Sequence, residues 1–141
     1  MIVDTRIYER QYETSIPDWA SRFIADNLAW CEEQGYKIPA IGWEWYDRET
    51  VSSSGLTTKR KLDCPARIRI YAGSDDHDLH LVVLHELAHA VTNSDHTLKT
   101  YRLAWKLYKR NGLDLTECLR REGSYQPQVA LKAYAMEIGE C

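Results

Sequence analysis

Hydrophobic residues recur at helical spacing, then at strand spacing, then in an almost unbroken run, and these patterns divide the chain. Ser15-Ile16-Pro17-Asp18 reads as a helix start, with a Ser cap, an early Pro and an acid three residues on. Ile16, Trp19, Ala20, Phe23, Leu28 and Cys31 then return at helical intervals, and Gly35 supplies the stop. From Ile41 to Tyr71 the period shortens to two. Ile41–Tyr46 and Ala66–Tyr71 alternate as half-buried strands do, and Val51 to Thr58 is a weaker strand between them. A three-stranded meander is the simplest arrangement.

Ser74 or Asp75 caps the next predicted helix, whose first turn is acidic, as the helix dipole favours. From Leu79 to Val91 this helix has almost no polar face, and a helix apolar all round is a buried one. Yet His85, Glu86 and His89 stand in the middle of it. Burying a charge or an imidazole without a partner costs on the order of several kcal/mol, so pattern and polarity conflict here. That conflict is the strongest pointer to chemistry in the chain. After a polar stretch from Thr92 to Thr97, Leu98, Tyr101, Trp105 and Tyr108 line one face of a third helix with Lys and Arg opposite, and Gly112 ends it. Pro127 opens a last helix carrying Val129, Leu131, Ala133, Tyr134 and Met136, with Gly139 beyond its end.

The run His85-Glu-Leu-Ala-His89 has a specific chemical reading. Residues four apart on a helix project from one face, so the two imidazoles can share a tetrahedral zinc at about 2.0–2.1 Å from each nitrogen. Glu86 is placed to take a proton from a water that zinc activates and to return it to the leaving amine. A catalytic zinc takes a third protein ligand. His96, seven residues after His89, is the favoured choice and Asp95 its rival at the metzincin spacing. The metzincin pattern wants Gly where this chain has Thr92, which favours His96. Glu117 and Glu122, from a later helix, are the further alternatives.

Composition narrows the setting. At 141 residues the chain fits a single domain over 1–141 with a core of its own, and 44% hydrophobic with 28% charged residues excludes wholesale disorder. No apolar run reaches the roughly 20 residues of a membrane span, and Met-Ile-Val-Asp-Thr-Arg lacks a signal-peptide core, so a cytoplasmic protein is expected. Cys31, Cys64, Cys118 and Cys141 form no Cys-x-x-Cys pair, which excludes a zinc ribbon and leaves buried, inert thiols as the expectation. A net charge of −3 speaks against a dedicated nucleic-acid binder. The basic segments 59–70 and 97–121 keep nucleic acid as a partner that is open but not favoured, and Lys59-Arg60-Lys61 with Arg67 and Arg69 reads as a solvated hairpin. His77 and His80 read as exposed residues at the helix start. The Tyr101/Trp105/Tyr108 stripe reads as core.

With these residues in place, the run Val83-Leu-His-Glu-Leu-Ala-His-Ala90, preceded by an Arg-Ile-Arg-Ile-Tyr strand, resembles compact zincins of the SprT-like, WLM and YgjP-like groups. The likeness spans roughly Ile41 to Tyr108 and is specific over Ile68 to His96. It implies a third His after the motif helix and an aromatic residue a few positions on, matching His96 and Tyr101. It also implies that the Ile68–Tyr71 strand serves as the edge to which an extended peptide adds. Two departures are present: the His89-to-His96 spacing is one residue longer than in the WLM and YgjP-like pattern, and the Cys-rich ribbon of SprT-like proteins is missing. The expectation is a compact α+β zincin-like domain with an N-terminal helix, a short three-stranded sheet, the active-site helix and C-terminal helices. Its expected activity is that of a zinc-dependent metallopeptidase acting on a protein or peptide, with zinc on His85, His89 and His96 and Glu86 as general base. The alternatives are a non-enzymatic metal- and partner-binding module and a nucleic-acid-associated SprT-like protease.

Overall fold

The structure is a computed structural model that describes residues 7–10, 16–46, 55–58, 66–72, 79–123 and 127–138. In chain order the elements are β1 (Ile7–Arg10), α1 (Asp18–Glu33), β2 (Ile41–Tyr46), β3 (Gly55–Thr58), β4 (Ala66–Tyr71), α2 (Leu79–Thr92), α3 (Leu98–Arg110), α4 (Leu115–Glu122) and α5 (Pro127–Glu137). Helices with one small mixed sheet make this an α+β protein. They group into two compact units, Met1–Asn93 and Ser94–Cys141.

In the first unit the sheet order is β1-β2-β4-β3. The three expected strands are present, and β1 adds a fourth, parallel to β2. Parallel neighbours need a long crossover, and α1 lies in sequence between them to provide it. The expected meander does not form: β2 pairs with β4 in parallel, while β3 runs antiparallel on β4's other side. Consequently Ile68–Tyr71 is interior to the sheet, and β3 is the edge strand beyond it. Helix α1 starts at Asp18 with Pro17 as its N-cap and no side-chain cap, in place of the expected Ser15 cap. Ser15 itself, residues 51–54 of the weaker predicted strand, and the proposed caps Ser74 and Asp75 lie outside the described residues.

Register explains which face became the core. Ile41, Trp43 and Trp45 of β2 stand opposite Ala66, Ile68 and Ile70 of β4, all buried, and α2 packs on β3 and β4. The other face of β2 is also buried and carries Glu44, which is only 1% exposed. Its carboxylate accepts from the Tyr46 hydroxyl at 2.7 Å and from Arg69 Nε at 3.3 Å, with Arg67 Nε 3.5 Å from its second oxygen. A buried charge is tolerable only when paired in this way. Burial, reinforced by the hydrogen bond to Glu44, pushes the Tyr46 phenol up to about 12. Helix α1 buries Ala20, Ile24, Leu28 and Cys31, and Gly35 takes the left-handed φ of 94° that ends it. Trp19 of the predicted apolar face is instead exposed at its edge and stacks on His80, with ring centroids 4.6 Å apart.

The second unit is three helices around Leu103, Ala104, Trp105, Leu107, Tyr108, Cys118, Ala130 and Ala133, so the Tyr101/Trp105/Tyr108 stripe is buried as expected. Thr97 caps α3 by accepting from the Thr100 N–H, and Asp114 caps α4 by accepting from Thr116 and Glu117. Trp105 Nε1 donates to the Ala130 carbonyl at 3.2 Å, tying α3 to α5. Tyr108 donates to the buried Glu122, and burial, then the Glu122 charge, pushes its phenol well above the ordinary tyrosine range. Tyr108→Phe removes that donor from a carboxylate with almost no access to water and is expected to cost about 1–3 kcal/mol. Thermal unfolding measures this, and an unchanged midpoint would show that the pair contributes nothing. Cys31 and Cys118 are buried thiols; Cys64 and Cys141 lie outside the described residues. Among the described residues no helix is long and apolar enough to cross a membrane.

Candidate metal centre

Helix α2 is buried from Leu81 to Thr92, and within it His85, Glu86 and His89 are 8%, 7% and 7% exposed. The apolar neighbours hold the helix in the interior, and the fourth-residue spacing stacks the two imidazoles on one face. Their Nε2 atoms approach to 3.1 Å. Two nitrogens bound to one tetrahedral zinc at about 2.0–2.1 Å stand about 3.3–3.4 Å apart, so the pair is set almost at coordination distance.

The turn that ends α2 decides the third donor. Thr92 is still helical, its hydroxyl donating to the Ala88 carbonyl at 2.7 Å, and the left-handed turn falls on Asn93 with φ 51°. Asn enters that region more readily than other side chains, so it ends the helix as Gly does elsewhere. The turn therefore comes one residue later than a Gly at position 92 would give. His96 is then brought to His85 and His89, with one ligand atom of each residue within 4.8 Å of the others. His96 itself is half-buried, and the ring of Tyr101 lies 5.8 Å from it. Imidazole donors suit zinc, copper, iron and nickel, and three of them leave a tetrahedral ion one open position. The three imidazoles could thus hold such an ion.

The rival ligands are placed elsewhere. Asp95 is exposed and outside the three-residue group. Glu117 is bound by Arg120, whose guanidinium holds the carboxyl below its ordinary range, and Glu122 is taken by Tyr108. His96→Ala is therefore expected to weaken metal binding tenfold or more, whereas Asp95→Ala is expected to change it less than about twofold. Titration with a competing chelator reads both, and the reverse ranking would return the ligand to Asp95.

Glu86 is held by the edge strand, which no sequence motif announced. Thr57 Oγ1 donates to Glu86 Oε1 at 2.6 Å and also lies 3.1 Å from the Glu86 carbonyl. Gly55, two residues earlier and on the same face of β3, passes directly over the side chain. A β-carbon there would stand 2.8 Å from Glu86 Cγ and 2.9 Å from Val82 Cγ1. Gly55 and Thr57 sit in a short, weakly patterned strand, and only the pairing with β4 reveals their proximity to α2.

The remaining candidates contribute no donor to this group. His80 is exposed and packed on Trp19 and Phe23, while His77 lies outside the described residues. Of the basic segments, Arg67 and Arg69 are engaged by Glu44, and Arg102 and Lys106 face Glu137 at 2.5 and 3.9 Å. Lys59, Arg60 and Lys61 lie outside the described residues. Compared with known proteins, the chain matches no protein family, no curated protein and no solved structure.

Proposed function

We propose that the chain is a zinc-dependent metallopeptidase in which His85, His89 and His96 hold the ion and Glu86 is the general base. The observation that carries this reading is the convergence of three imidazoles within 4.8 Å, with a buried carboxylate between two of them on the same helix. When bound, zinc supplies a Lewis acid that polarises a peptide carbonyl and makes water acidic enough to surrender a proton near neutral pH. Glu86 receives that proton and later delivers it to the departing amine. The edge strand β3 lies against the helix that carries Glu86, and an extended peptide can add to such an edge through main-chain hydrogen bonds. Of the departures from the SprT-like, WLM and YgjP-like pattern, the longer His89-to-His96 spacing is met by a turn that falls late, at Asn93.

A second reading, a metal-holding module without catalysis, is favoured by the burial of His85, Glu86 and His89, which narrows access for a substrate. Incubating zinc-loaded protein with a diverse peptide mixture, and mapping new termini by mass spectrometry, separates the two. Zinc-dependent cleavage is expected. A stoichiometric zinc protein that cuts no peptide over a broad pH range would establish the module instead.

A further inference from the structure

We propose that Thr57 is the positioning residue for Glu86, fixing where its carboxylate points; this rests on the reading of Glu86 as the general base. A glutamate has three rotatable bonds, and its own helix does not determine where the carboxylate points. The restraint comes from β3. Thr57 reaches across from the edge strand and donates to Oε1 at 2.6 Å, so that oxygen is occupied by a proton donor. The second oxygen, Oε2, lies beside Gly55, 3.1 Å from where a β-carbon would stand. Space favours glycine there, since a β-carbon would meet both Glu86 and Val82. Strand and helix together hold the side chain between a hydrogen bond and a bare backbone.

The held carboxylate then serves the chemistry. In the hydrolytic step an O–H bond of water breaks and its proton goes to the Glu86 carboxylate. The electron pair left on the water oxygen forms the bond to the scissile carbonyl carbon as the carbonyl π pair moves onto its oxygen. When that pair returns and the C–N bond breaks, the C–N pair stays on nitrogen, which takes the proton back from Glu86. Thr57 keeps its own proton throughout and acts only by holding Oε1. Glu86 is four residues after Val82, and Gly55 of β3 lies against both.

Thr57→Val, which keeps the shape and removes the donor, and Thr57→Ser, which keeps the donor, test the assignment in zinc-loaded protein. Thr57→Ala stands in for the valine variant should valine fail to fold. Crystal structures of the variants are expected to show the Glu86 carboxylate displaced in Thr57→Val and returned in Thr57→Ser. With a peptide that the wild type cuts, kcat is expected to fall about 10- to 100-fold in Thr57→Val, with KM and zinc content within about twofold, and Ser is expected to restore it. An unmoved Glu86 in Thr57→Val, a serine variant as impaired as valine, or full turnover with Glu86 displaced would each overturn the proposal. Failure of the peptidase reading looks different: no peptide is cut even by the wild type, and the crystal structures alone then decide whether Thr57 positions Glu86.

Discussion

Replacing His85 or His89 by alanine is expected to weaken zinc binding by about two to three orders of magnitude. Structural zinc sites with four protein ligands bind with apparent free energies of about 10–16 kcal/mol, or about 2.5–4 kcal/mol for each ligand. At 1.4 kcal/mol per tenfold, losing one ligand costs roughly a factor of 10² to 10³. The wild type should carry one zinc per chain after reconstitution at neutral pH, and each alanine variant should yield its zinc to a mild chelator. Removing an imidazole from the interior of α2 also leaves a small cavity, so circular dichroism must confirm that the helix persists. Retention of one tight zinc in both variants would remove α2 from the metal site and end the metallopeptidase reading.

Glu86→Gln is expected to lower kcat by about 10² to 10⁴ while leaving the zinc content unchanged, the range that a positioned general base contributes. Glutamine has nearly the same shape, and its amide oxygen can still accept from Thr57, so the hydrogen bond to β3 survives and only the proton acceptor is lost. Stability should not suffer. Glu86 is 7% exposed, and exchanging a buried charge for a neutral amide relieves desolvation, so the unfolding temperature should hold or rise. A slower enzyme that is at least as stable is the signature of a residue kept for chemistry. If Glu86→Gln instead unfolds several degrees lower with turnover intact, the carboxylate serves only the packing of β3 on α2.

Most of the site could be read from residue order because its parts are local. His85, Glu86 and His89 lie within five residues of one helix, and the apolar run that buries them is visible as a pattern. His96 comes soon enough after them that a single turn decides its position. Ala66–Tyr71 was legible from its period of two, and the α3 start from the end of the polar stretch at Thr97. What the pattern hid is non-local or short. β1 is four residues, Ile-Tyr-Glu-Arg, too brief to establish a period, and without it nothing signals a parallel sheet crossed by α1. With β1 unseen, β2, β3 and β4 look like successive hairpin strands, whereas β4 inserts between the other two. Helix α4 escaped because its eight residues bury only Cys118 and Glu122, although Asp114 three residues before Glu117 is a cap signal. The Thr57–Glu86 hydrogen bond joins residues 29 apart, a separation no local pattern spans.

The left-handed conformation of Asn93 has a thermodynamic consequence. The turn at Asn93 directs the chain towards His96, so on the proposed reading turn and metal binding are linked equilibria: whatever disfavours the turn weakens the metal, and the metal stabilises the turn by the same amount. A β-branched residue at 93, for which left-handed φ is strongly disfavoured, is therefore expected to lower zinc affinity. The backbone conformation of one residue beyond the motif would then help to set how tightly the ion is held.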